Sequence, residues 1–70
     1  MRFRKVAPTK RQWHVIARYV GERRSWQPAY EIHHLKLEYR GYRYIVNVLL
    51  GMQGFHSLAE AKAWVSENQE

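Results

Sequence analysis

The 70-residue chain contains no cysteine and no aspartate. Without thiols, neither disulfides nor thiolate zinc sites can staple it, so it must fold by side-chain burial alone, a pattern that favours a reducing compartment. Without Asp or Cys, candidate nucleophiles reduce to Thr9, Ser25, Ser57 and Ser66, and no pair of carboxylates is spaced for general acid and base work. No catalytic residue is therefore assigned, and the expectation is a protein that is not an enzyme. No apolar run of 7 to 15 residues follows the basic start MRFRKVAPTK, and none reaches the roughly 20 residues of a membrane span. A soluble, cytoplasmic protein that does not engage membranes is the default expectation. Gly51 and Gly54 lack the spacing of a phosphate loop, so no cofactor is expected.

What is present is positive charge. Twelve Lys and Arg against six Glu leave a formal charge of +6, and five of the twelve (Arg2, Arg4, Lys5, Lys10 and Arg11) precede the first acid. Such an excess attracts polyanions, and it also serves simple solubility. Seventy residues make one domain with a small core. Residues 1–8 are expected to be a basic, flexible arm tied down by Phe3 and Val6, with a short edge strand as the alternative.

The segment from Ala29 to Leu50 reads as a β-hairpin turning at Arg40-Gly41. A continuous register opposes Tyr39 with Tyr42, Glu38 with Arg43, Leu37 with Tyr44, Lys36 with Ile45, Leu35 with Val46 and His34 with Asn47. One face then holds His33, Leu35, Leu37, Tyr39, Tyr42, Tyr44, Val46 and Val48, and the other holds His34, Lys36, Glu38, Arg43, Ile45 and Asn47. The first face needs cover, and the second is free for a ligand.

Cover is available downstream. Ser57 and Glu60 form a capping box ahead of an alanine-rich helix of about residues 57–67, whose Leu58, Ala61, Trp64 and Val65 make an apolar stripe. Gly51 to Gly54 reads as a turn. Residues 10–20 are ambiguous: alternation and β-branched residues favour a strand, while Thr9, Gln12 and Gly21 supply helix-end signals. The expected fold is α+β, an antiparallel sheet of three strands (about 12–20, 30–39 and 42–50) on one C-terminal helix, with a helical 10–20 as the alternative.

The four histidines do not make a metal site. His33 and His34 point to opposite faces of a strand, and His14 with His34 would lack a carboxylate or thiolate partner. His33 reads better as a hydrogen-bonded core residue.

The polar sheet face is the candidate interface. His34, Lys36, Arg43 and Asn47, joined by Arg18 and by Arg40 at the hairpin tip, are chemically suited to double-stranded DNA, with Arg23, Arg24 and the arm residues Arg2, Arg4 and Lys5 on phosphates. Trp26, in the loop of residues 21–28, is the candidate anchor for a protein partner instead.

Gly41-Tyr42-Arg43-Tyr44 and the run from Gly54-Phe55-His56-Ser57 through Leu58-Ala59-Glu60-Ala61-Lys62-Ala63-Trp64 resemble the small DNA-binding domains at the N-terminus of mobile-element tyrosine integrases. Those domains are similar in architecture to plant ethylene-response DNA-binding domains. The resemblance covers about a third of the chain and implies three strands and a helix, with the sheet in the major groove and Arg43 as a groove-facing residue. This sheet carries fewer Arg and Lys than the pattern, and its 21–28 loop is long. The same junction is similar to that of small phage proteins, including inhibitors of host defence complexes. The expected function is therefore a small phage or mobile-element DNA-binding accessory protein. The alternative is an inhibitor that binds a host defence or nucleic-acid-processing complex, and a homodimer through a sheet edge is also open.

Overall fold

The computed structural model describes residues 2–22, 30–48 and 51–69. They form β1 (Arg2–Val6), β2 (Val15–Glu22), β3 (Glu31–Tyr39), β4 (Tyr42–Val48), β5 (Gly51–Phe55) and α1 (Leu58–Gln69). The strands make one antiparallel sheet in sequence order, a meander with the helix on one face. The expected α+β class with a C-terminal helix is observed. The expected three strands are five.

Both additional strands lie at the sheet edges. Residues 2–6, expected to be a flexible arm with a short edge strand as the alternative, form that edge strand, pairing with β2 from Arg2 opposite Glu22 to Val6 opposite Arg18. Phe3 turns toward the helix, where the Lys62 ammonium lies 5.6 Å from its ring centroid and 5.7 Å from that of Tyr19. That apolar and cation–π contact outweighs the charge that argued for a free arm. At the other edge, Gly51 to Phe55 extend as β5 against Val48 to Tyr44, where two glycines suggested a turn. Gly54 has a packing reason to be glycine, because a Cβ there would overlap the ring of Tyr42.

The ambiguous segment is a strand, beginning at Val15. The Thr9 and Gln12 signal is real but local: Gln12 Oε1 accepts from the Thr9 amide at 3.0 Å, and Gln12 N donates to the Thr9 carbonyl at 3.0 Å. These bonds close a turn rather than start a helix. The helix start itself is as expected, with Ser57 Oγ accepting from the Glu60 amide at 3.2 Å.

The hairpin register departs from the continuous one. Tyr39 opposes Tyr42 across Arg40 and Gly41, whose φ values of 54° and 86° are both left-handed, as a two-residue hairpin turn of type I′ requires. Beyond the turn, however, His34 opposes Tyr44, His33 opposes Ile45 and Ile32 opposes Val46. Residues 35–38 of β3 therefore face Arg43 alone, an excess of three.

The excess reassigns the faces. On the helix side, Ile32, Val46, Ala61 and Val65 are fully buried, surrounded by Phe3, Tyr19, Tyr30, Tyr44, Val48, Phe55, Leu58 and Trp64. The predicted helix stripe and Tyr44 thus pack as expected. Leu37, expected in this core, is 81% exposed. On the opposite side, Val15, Leu35 and Ile45 form a second buried cluster with no helix over it.

Replacing Gly54 by alanine should destabilise the fold by about 1–3 kcal/mol through forced displacement of Tyr42. Chemical denaturation of the variant checks this, and a stability equal to that of the parent would contradict the close packing of Tyr42 on β5.

Candidate binding groove on the open sheet face

Strand register divides the open face into two chemically distinct halves. Toward β1, Arg18 of β2 meets Glu31 of β3, with Nη1 donating to Oε1 at 3.2 Å and to Oε2 at 3.4 Å. Arg18 Nε also donates to the Ala7 carbonyl at 3.1 Å. His33 Nε2 lies 3.2 Å from Glu31 Oε2, so one carboxylate ties two strands together and satisfies a buried histidine. His33 is thus buried and hydrogen-bonded as expected, but the register excess puts it on the open face with Ile45 and not on the helix-covered apolar face. This arrangement also gives Arg18, expected at a ligand surface, an internal partner set and a largely buried guanidinium.

Toward the hairpin end, the face is apolar. A groove of about 670 Å³ is lined by Trp13, His14, Leu35, Lys36, Leu37, Glu38, Tyr39, Ile45 and Met52. Leu35 and Ile45 are buried in its floor, whereas Trp13 (75% exposed), Leu37 (81%), Met52 and Tyr39 stand open around it. The excess residues of β3 build one wall. The turn of residues 9–14 builds another, held by the bond from Lys36 N to the His14 carbonyl at 2.9 Å. Trp13 meets His14 edge to face, with centroids 5.6 Å apart. A volume of this size takes several side chains, and exposed contiguous apolar surface on a small domain marks an interaction site.

The structure distributes the candidate nucleic-acid residues widely. Lys36, Arg40 and Arg43 come together at the hairpin end: Lys36 lines the groove, Arg40 lies 5.5 Å from the Tyr39 ring centroid, and Arg43 pairs with Glu38 at 3.7 Å. Asn47 is exposed beside Met52 on the same face. Arg2 and Arg4 share that face but sit on the far edge strand, while Lys5 points to the helix side. His34, expected on the open face beside Asn47, lies on the helix side, stacked on Tyr44 with centroids 4.5 Å apart. The register excess moved it there. Arg23, Arg24 and Trp26 lie outside the described residues.

Sequence reasoning missed Trp13, Leu37 and Met52 as surface groups, and alternation assigned Leu37 to the apolar face needing cover. Among the described residues, no group of three or more His or Glu could hold a metal ion, and no helix is long and apolar enough to cross a membrane. No family model, curated protein or solved structure matches the chain.

Burial lowers the His34 pKa from its ordinary 6.5, and the positive charges of Arg43 and Lys5 lower it further. Between that lowered value and 6.5, the unfolded chain binds the proton more readily, so stability should fall as pH drops through this window. Denaturation midpoints measured from pH 7.5 down to 5 should fall less steeply in His34→Gln than in the parent; an identical slope would contradict the assignment.

Proposed function

We propose that the chain is a small, non-catalytic protein-binding module that seats partner side chains in the groove on its open sheet face. The observation behind this reading is the juxtaposition of a buried apolar floor (Leu35 and Ile45) with exposed Trp13, Leu37, Tyr39 and Met52. A solvated sheet face would carry polar groups there. Desolvated aromatic and aliphatic anchors are the groups that dominate protein interfaces. The reading accords with the inhibitor-type alternative drawn from the sequence and moves its anchor from Trp26 to Trp13 and Leu37.

DNA binding through the polar face is the second reading, favoured by the convergence of Lys36, Arg40 and Arg43 at one end of the sheet. It has less support at the centre of that face, where the described side chains are apolar and Arg18 is held by Glu31.

Because Leu37 is 81% exposed, Leu37→Ser should leave the fold intact. Capture from a bacterial lysate, with and without nuclease, separates the readings. The expected result is a defined protein partner that survives nuclease and whose affinity falls about 30-fold or more with Leu37→Ser. Loss of all bound protein on nuclease treatment, or capture indifferent to Leu37→Ser and Trp13→Ala, would contradict the proposal.

A further inference from the structure

Among the described residues, the charge around the groove is mostly positive. Lys36 lines it directly, Arg40 lies against its Tyr39 wall, and Arg43 holds its single lining carboxylate, Glu38, at 3.7 Å. The turn that presents Trp13 also carries exposed Lys10 and Arg11. With Glu38 paired to Arg43, the cations Lys36, Arg40, Lys10 and Arg11 remain in or next to the segments that line this apolar site. The other described acids lie elsewhere: Glu22 and Glu31 at the opposite ends of β2 and β3, and Glu60 and Glu67 on the helix.

We infer that the groove takes an acidic segment of a partner protein, with two or three large apolar side chains on the floor and flanking carboxylates on Lys10, Arg11, Lys36 and Arg40. This rests on the protein-binding reading and adds the chemistry of the partner. Charge complementarity selects the occupant: a second copy of this chain would bring +6 against +6, whereas an acidic segment is drawn in and held at the rim. A nucleic acid would satisfy the cations but leave the aliphatic floor of Leu35 and Ile45, and Met52 beside it, without a matching group. Its bases would find stacking faces at Trp13, His14 and Tyr39, all at the margin of the groove and none on its floor.

The test uses the full chain, a displayed library of random 16-residue peptides, and a 16-nucleotide oligothymidylate. Enriched peptides should carry Asp or Glu around large apolar residues. Their affinity should drop about 30-fold or more in Leu37→Ser, and roughly 5- to 10-fold in Lys36→Gln/Arg40→Gln or on raising salt from 50 to 300 mM. Circular dichroism of each variant confirms folding. Enriched peptides that depend on Leu37 but show no acidic excess would overturn this inference while leaving the protein-binding reading intact. Peptides that bind Leu37→Ser equally well, or no enrichment at all, would overturn both. Tight oligothymidylate binding that is lost with Trp13→Ala, without peptide enrichment, would assign the groove to nucleic acid.

Discussion

The three-residue excess of β3 over β4 is the constraint on which the rest of the structure depends. The turn at Arg40-Gly41 pins Tyr39 to Tyr42, and the helix-side core pins Ile32 to Val46. Both cannot hold in one continuous register. The difference is absorbed between them by residues 35–38, which leave the ladder with β4. Leu35 turns to the open face against Val15 and Ile45, and Leu37 is pushed into solvent. The groove is the shape that this local misfit leaves behind.

The result is a sheet with two apolar faces and one helix. Burial of Ile32, Val46, Ala61 and Val65 supplies the cooperative core, closed by Trp64 against Tyr30 and Phe55. Among the described residues no element covers the second cluster, and Trp13, Leu37 and Met52 stand exposed around it. At roughly 25 cal/mol per Å² of apolar surface, burying exposed side chains of this size would be favourable. The Arg18–Glu31 ion pair, with His33 Nε2 on the same carboxylate, bounds this region and links β2 to β3.

Much of the fold was legible because its signals are local. Ser57 and Glu60 bracket the helix start, Leu58, Ala61, Trp64 and Val65 mark its buried stripe, and Arg40-Gly41 marks the hairpin turn. The edge strands were harder to read for the same reason: in the sequence β1 is only the alternative to a flexible arm, and β5 reads as a turn. Arg2 to Val6 looks like a basic tail until Phe3 finds Lys62, and the glycine at position 54 looks like a turn until Tyr42 lies across it. The groove was hidden furthest, since strict alternation puts Leu37 beside Leu35 in one core. Only a long-range competition between turn and core decides otherwise. The cationic rim could be read from composition; what it surrounds could not.

Cross-strand nuclear Overhauser effects between β3 and β4 test the register excess most directly. Contacts from the His34 ring to the Tyr44 ring and from Ile32 to Val46, with Leu37 showing none to Tyr44, are the predicted result. Contacts of Leu37 with Tyr44 and of Leu35 with Val46 would restore the continuous hairpin, return Leu37 to the core and remove the groove.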